Sequence, residues 1–250
     1  MKGFSARLRN IGDTRWHVHE SCATPRHAAP VVVFVPGLGE GDYMAPHGRV
    51  LATHWHVLVP DMPGFGRTRA PKRLRSVDEF GQALSGFLRA TVDQPAFVVA
   101  SSFGAQIAVA AAEAGAPIAR MVLVSPTYDA AARSVLGQLR RWLPTMLVEP
   151  PTLALGLAKS YLHCGVRTPI IAFRAGLHDR PEDRLRGSDI PTLIVRGERD
   201  HIVSAAWADQ LAAAGRRTQV VTIPGFAHTL DYAAPDELGA VTIPFLEGSP

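Results

Sequence analysis

Short apolar segments rich in Val alternate with longer helical patterns along most of this 250-residue chain. A parallel strand is covered by helices on both sides, so it can be apolar along its whole length. The alternation is typical of βαβ units and predicts an α/β fold with a mostly parallel, open sheet and helices on both faces. The predicted strands are residues 31–35, 56–60, 96–100, 121–125, 192–196 and 219–223.

A leading hairpin and four helices complete this prediction. Residues 3–9 and 14–20 alternate as strands do, and Asn10, Gly12 and Asp13 supply the turn between them. Helical patterns lie between the strands or after the last one, at residues 78–92, 103–114, 205–214 and 235–243.

The segment from 127 to 188 interrupts the alternation. It has helical rhythm at 136–147 and 153–164, and prolines such as Pro144 and Pro150 are expected to break those helices. It separates two core strands without adding another. We therefore expect a helical cap insertion at 127–188 above the carboxyl edge of the sheet, and a core built from residues 1–126 and 189–250.

Composition argues against nucleic-acid and membrane partners. The 26 basic and 22 acidic residues leave a net charge of +4, and the basic residues are dispersed without aromatic interleaving. No window approaches about 18 uninterrupted apolar residues, and the N-terminus does not resemble a signal peptide. Cys22 and Cys164 lie far apart without the spacing of metal ligands, which suits a reducing compartment. A cytoplasmic protein is expected.

Residues 97–106 predict a strand that runs directly into a helix, with a serine at the turn. A nucleophile at such a turn has strained backbone and needs small residues two positions before and two positions after it. Ser102 meets this requirement through Ala100 and Gly104, whereas Ser101 is flanked at those positions by Val99 and Phe103. Ser102 is the predicted nucleophile.

A serine hydroxyl needs a base, and the base needs an orienting group. Asp200 follows the predicted strand at 192–196, and His228 follows the predicted strand at 219–223. Carboxyl ends of parallel strands meet at one edge of the sheet, where ligands of open α/β sheets bind. The order Ser102, Asp200, His228 along the chain therefore predicts a catalytic triad.

These motifs resemble the α/β-hydrolase superfamily over nearly the whole chain outside the insertion. Residues 35–39 (VPGLG) resemble its His-Gly loop after the third strand, and residues 61–68 (DMPGFGRT) its turn after the fourth. The resemblance implies an α/β-hydrolase fold and an oxyanion hole formed by the backbone amides of Leu38 and Phe103. Pro36 replaces the usual His, and Asp61 is assigned to the structure of its turn.

The resemblance implies a serine hydrolase that forms an acyl-enzyme on Ser102 and needs no cofactor or metal. The expected partner is a small-molecule acyl substrate with a mainly apolar acyl part, because Trp142, Met146, Tyr161 and Phe173 lie in the insertion. Carboxylic ester hydrolysis is the first choice. Thioester hydrolysis, lactone opening, acyl transfer and the carbon–carbon hydrolysis of meta-cleavage product hydrolases use the same residues and stay open.

A second class of function is a non-catalytic ligand receptor or scaffold, since fold does not imply function. Other histidines are assigned to surface or packing: His17 and His19 share a strand face as exposed residues without a third ligand, and His163 is not expected to contact substrate. His201 is one residue from Asp200 and is poorly placed to bridge it to Ser102. No sequence pattern determines the oligomeric state.

Overall fold

A computed structural model describes residues 1–27, 30–71, 74–153 and 165–248. Within these residues, eight strands form one sheet in the order β1-β2-β4-β3-β5-β6-β7-β8. β1 pairs antiparallel with β2, β2 pairs antiparallel with β4, and every other pairing is parallel. The strands are β1 (Phe4–Ile11), β2 (Thr14–Ser21), β3 (Val32–Val35), β4 (Val57–Pro60), β5 (Ala96–Ser101), β6 (Ile118–Val124), β7 (Thr192–Gly197) and β8 (Thr218–Ile223).

The predicted α/β sheet and its six apolar strands are confirmed, with differences at their ends. β6 begins at Ile118, three residues before the predicted start, because Ile118 and Arg120 also pair with β5. Asn10 is not in the hairpin turn, since it pairs with Arg15 in the ladder. The turn is limited to Gly12 and Asp13, and Gly12 has the positive φ of 54° that a tight hairpin requires.

Nine α-helices lie entirely within the described residues. They are α1 (Ala45–Leu51), α2 (Val77–Thr91), α3 (Phe103–Glu113), α4 (Val135–Val148), α5 (Arg167–His178), α6 (Pro181–Arg186), α7 (Ala205–Ala214), α8 (Leu230–Ala233) and α9 (Pro235–Glu247), with short 3-10 helices at Gly41–Met44 and Ala130–Ala132. All four helices predicted between or after the strands are present.

The sheet separates two apolar layers. On one side, α2, α3 and α7 contribute buried residues such as Leu84, Ile107 and Trp207. On the other side, α1 and α9 contribute residues such as Leu51 and Leu238. Helices therefore cover both faces, and this explains why the central strand β5 is buried along its whole length.

The segment between β6 and β7 contains α4, α5 and α6 and, where it is described, no strand. α4 matches the prediction at 136–147, whereas nearly all of the prediction at 153–164 lies outside the described residues. Pro144 does not break α4 but lies inside it. An interior proline costs about 3 kcal/mol. The adjacent Thr145 is completely buried, and we attribute the tolerance of Pro144 to the packing of this turn.

The assignment of His17 and His19 to the exposed surface is wrong. β2 is an interior strand, His17 on it is buried, and His19 is partly buried. Asp61, at the end of β4, supplies the third group: its Oδ2 accepts hydrogen bonds from His17 Nδ1 at 2.9 Å and from the Arg67 backbone N–H at 2.9 Å. The bond from Arg67 agrees with the structural role predicted for Asp61 in its turn.

Within the described ranges, no helix is long and apolar enough to cross a membrane.

Candidate active site

Ser102 lies between the last residue of β5 and the first residue of α3. Its backbone has φ 55° and ψ −121°, a conformation that non-glycine residues rarely adopt and that stores strain. Its backbone N–H donates to the carbonyl of Val124 at 2.8 Å, which holds the turn against β6. Gly104 permits this close packing, because a Cβ there would lie 2.2 Å from the carbonyl oxygen of Val35.

The structure brings Ser102, Asp200 and His228 together, as the order of the strands predicts. His228 Nε2 lies 3.0 Å from Ser102 Oγ, and His228 Nδ1 lies 2.8 Å from Asp200 Oδ2. A carboxylate only accepts hydrogen bonds, so Nδ1 carries the proton and Nε2 is free to accept one from the serine hydroxyl. The three side chains form one continuous hydrogen-bonded chain.

Asp200 is buried and oriented by its own loop. Its Oδ1 accepts backbone N–H bonds from Ile202 at 2.8 Å and Val203 at 3.0 Å, which leaves Oδ2 for His228. The guanidinium of Arg196, on β7, donates to the carbonyls of Val203 at 3.0 Å and Glu198 at 3.2 Å. The loop that carries Asp200 is therefore held by a buried arginine.

The pKa of His228 is raised above its ordinary value by its surroundings. Burial of the imidazole is the largest single influence and favours the neutral form. The charge and hydrogen bond of Asp200, together with the charges of Glu149 and Asp231, outweigh it. The site therefore stabilises an imidazolium, the species that forms when a base removes a proton from Ser102.

Glu149 lies next to this histidine and has no signal in the sequence. It is only 8% exposed, and its Oε1 accepts a hydrogen bond from the backbone N–H of Thr229 at 2.7 Å. Its second oxygen is buried without a hydrogen-bond partner among the described residues. A carboxylate at the C-cap of α4 thus contributes negative charge beside the loop of His228.

The loop after β3 approaches Ser102 closely. A Cβ on Gly37 would lie 3.0 Å from Ser102 Cβ, and the backbone N–H of Gly37 donates to the Tyr43 hydroxyl at 2.7 Å. Leu38 lines the same cavity as Ser102, and Phe103 is the first residue of α3, where backbone N–H groups lack intrahelical partners. The assignment of the Leu38 and Phe103 amides to an oxyanion hole stays a prediction. The hydrogen bond between this loop and the Tyr43 hydroxyl was not predicted from the sequence.

A cavity of about 340 Å³ opens at Ser102 and His228. Of the residues expected in the pocket, Trp142, Met146 and Phe173 line it, whereas Tyr161 lies outside the described residues, as do His163 and Cys164. Its lining is largely apolar and includes Leu38, Leu139, Trp142, Met146, Leu153 and Phe173. The site can hold an apolar group against the hydroxyl of Ser102.

Potential metal ligands cluster away from this cavity. Among the described residues, two groups of three could each surround an ion: His17 with His19 and Asp61, and His27 with His54 and Glu247. Neither group contains a residue that lines the cavity at Ser102.

Comparisons with known proteins agree with this architecture. A region of 146 residues, 57% of this chain, is 30% identical to phytyl ester synthase 1, chloroplastic, of Arabidopsis thaliana; it spans one fifth of that protein's length. A proposed lipase, Lip1, of Acinetobacter baumannii AYE superposes with a TM-score of 0.82 at 21% identity, over 98% of this chain and 92% of the other. The enol-lactonase of Burkholderia xenovorans LB400 superposes with a TM-score of 0.80 at 21% identity, over 96% of this chain and all of the other.

The family model described as the α/β hydrolase fold matches residues 30–157, about half of the chain. The strand order, the strained serine after β5 and the positions of Asp200 and His228 at the ends of β7 and β8 agree with that match. The chain belongs to the α/β-hydrolase fold family.

Proposed function

We propose that this protein is a serine hydrolase that cleaves a carboxylic ester with a mainly apolar acyl part. The observation that carries the proposal is the hydrogen-bonded chain from Ser102 Oγ through His228 to Asp200. An unactivated serine is a poor nucleophile, and this arrangement provides the base and the orienting carboxylate that it needs.

In the first half of the reaction, Ser102 Oγ attacks the acyl carbon and His228 Nε2 takes the serine proton. The tetrahedral intermediate then collapses, the bond from carbon to the alcohol oxygen breaks, and His228 returns the proton to the departing alcohol. Asp200 holds the Nδ1–H tautomer and stabilises the imidazolium, in agreement with the raised pKa of His228.

In the second half, water attacks the acyl-enzyme while His228 takes a proton from it, and Ser102 leaves with that proton. Negative charge develops twice on the former carbonyl oxygen. We assign its stabilisation to the backbone amides of Leu38 and Phe103, and each such donor is worth about 3 kcal/mol of barrier. No step requires a metal or a cofactor.

The cavity supports the choice of an apolar acyl group. Side chains from α4 and α5 line it together with residues of the sheet edge, which also supports a cap function for the insertion between β6 and β7. An ester is the first choice because its hydrolysis requires nothing beyond Ser102, His228, Asp200 and donors to the carbonyl oxygen. The name of the Arabidopsis relative, an ester synthase, also favours acyl-ester chemistry.

The test is hydrolysis of p-nitrophenyl esters of increasing acyl length by the wild-type protein and by Ser102→Ala, beside labelling with a fluorophosphonate probe. We expect wild-type turnover and labelling, and loss of both in the variant. Absence of labelling and turnover in a folded wild-type protein would instead favour a ligand receptor built on the same fold.

A further inference from the structure

Two histidines and a glutamate meet at the edge of the sheet opposite Ser102. His27 lies before β3, His54 lies between α1 and β4, and Glu247 is the last residue of α9. β3, β4 and β5 run parallel, so the segments that precede β3 and β4 lie at the end of the sheet where these strands begin. Ser102 follows the end of β5 and therefore lies at the other edge.

One carboxylate oxygen lies near both imidazole rings. Glu247 Oε1 is 3.4 Å from His54 Nδ1 and 3.8 Å from His27 Nε2, and the three ligand atoms all lie within 4.8 Å of one another. A tetrahedral zinc site with bonds of about 2.0–2.1 Å separates neighbouring ligand atoms by about 3.3 Å. Rotamer adjustments of a few tenths of an ångström would bring both nitrogen–oxygen separations to that value, and the two nitrogens, which lie within 4.8 Å of each other, would have to approach by up to about 1.5 Å.

The two rings are held in place by the protein. The His27 backbone N–H donates to the carbonyl of His54 at 2.8 Å, which joins the two segments directly. The indole of Trp55, a buried residue, stacks on the His27 ring at 5.7 Å and contacts the His54 ring at 5.3 Å. The nitrogen ligands are therefore partly preorganised, which lowers the entropic cost of binding an ion.

The ligand atoms are also available. His54 Nδ1 is buried and makes no hydrogen bond among the described residues, although a buried polar atom usually makes one; the carboxylate oxygen 3.4 Å from it belongs to Glu247, the third member of the group. The group of His17, His19 and Asp61 differs, because Asp61 Oδ2 already accepts two hydrogen bonds that coordination would disturb. The nitrogen of His54 that makes no hydrogen bond favours the group of His27, His54 and Glu247 as the better ion site.

We infer that His27, His54 and Glu247 form a binding site for a divalent first-row transition-metal ion of the zinc class. Two imidazoles and one carboxylate suit such an ion better than Mg²⁺ or Ca²⁺, which prefer oxygen ligands. Water completes the coordination, since Glu247 and His27 are both partly exposed. The ion links the connection before β3, the turn after α1 and the end of α9, so its main effect is on stability and not on hydrolysis.

The experiment uses the full chain without a polyhistidine tag, stripped with EDTA and then titrated with ZnCl₂ in a calorimeter. We expect one Zn²⁺ per chain and, at a hundredfold excess over Kd, a rise in Tm of about 5–10 °C. Glu247→Gln and His54→Ala should weaken binding at least tenfold. The matched control is Glu237→Gln. Glu237 is exposed in the first turn of the same helix, so this variant should bind Zn²⁺ as the wild type does.

Binding that survives unchanged in both Glu247→Gln and His54→Ala would overturn the proposal, as would the absence of any binding by the wild type. His19→Ala tests the alternative site formed by His17, His19 and Asp61. If zinc binding is lost in that variant and retained in Glu247→Gln, the ion belongs to the alternative site and the proposal is overturned. Co²⁺ substitution gives a readout independent of activity and folding, because a tetrahedral Co²⁺ absorption band should appear in the wild type and disappear in Glu247→Gln.

Discussion

Glu149 accepts a hydrogen bond from the backbone N–H of Thr229 at 2.7 Å, and Thr229 is the residue after His228. This bond connects the C-cap of α4 with the loop that places the proposed base. The insertion between β6 and β7 therefore lines the cavity and also contributes a charge that acts on His228.

Glu149→Gln should shift the pH dependence of hydrolysis. The amide oxygen can still accept from Thr229, but the negative charge that raises the pKa of His228 is lost, so that pKa should fall. The neutral imidazole is the base, so the acidic limb of the kcat/KM profile should move to lower pH. The measurement is kcat/KM against pH with a p-nitrophenyl ester, with the exposed Glu237→Gln as control. An unmoved limb would show that the charge of Glu149 does not act on His228.

Asp200→Asn should reduce kcat by about 10⁴ while the protein remains folded. The N–H groups of Ile202 and Val203 require an acceptor at the Oδ1 position, so the amide oxygen should occupy it and the amide nitrogen should face His228. His228 Nδ1 would then have to accept a hydrogen bond, and Nε2 would be protonated and unable to take the serine proton. Single-turnover acylation rates measure this loss, and a decrease of less than tenfold would contradict the proposed role of Asp200.

Met146→Ala should extend the range of acyl chains that the protein accepts. Met146 lines the cavity, and its truncation adds space there, so the preferred chain should lengthen by about one to three carbons. Leu147→Ala is the matched control, because Leu147 is the next residue and is 87% exposed. Comparison of kcat/KM across the ester series tests the prediction. An equal shift in both variants would show that α4 acts through its stability and not through the lining.

Gly104→Ala should lower the free energy of unfolding by about 1–3 kcal/mol or more. The added methyl group would lie 2.2 Å from the carbonyl oxygen of Val35 and 2.6 Å from that of Pro36, both backbone atoms that cannot move independently. Gly86→Ala provides the contrast, since a Cβ there meets nothing within 4 Å and alanine favours the helix by about 0.5–1 kcal/mol. Urea denaturation of the wild type and the two variants measures the free energy of unfolding. Equal changes in both variants would contradict this explanation.

The sequence predicted features that depend on local chemistry. The apolar segments identify the strands, and the spacing of Ala100 and Gly104 around Ser102 reflects contacts that the backbone of the turn imposes. The approach of Asp200 and His228 to Ser102 could be predicted, because parallel strands bring their carboxyl ends to a common edge of the sheet.

Features that depend on distant packing could not be predicted in this way. Glu149 and Thr229 are 80 residues apart, and nothing near either residue indicates their hydrogen bond. His17 was assigned to the surface because no local pattern shows that β2 is interior or that Asp61 lies beside it. Pro144 was expected to break a helix because a proline inside a helix is unfavourable by itself. The packing around this turn involves other parts of the chain and leaves no local pattern in the sequence.

The edge position of β8 has a consequence for how the protein loses activity. Among the described strands, β8 pairs only with β7. It has one buried residue in six, whereas all six residues of β5 are buried. An edge strand with so little burial can detach in a local opening that costs less free energy than global unfolding. Because His228 follows β8, such an opening would carry the base away from Ser102 while the central sheet stays intact. Denaturant should therefore abolish hydrolysis at a lower concentration than it exposes the buried indole of Trp16 on β2.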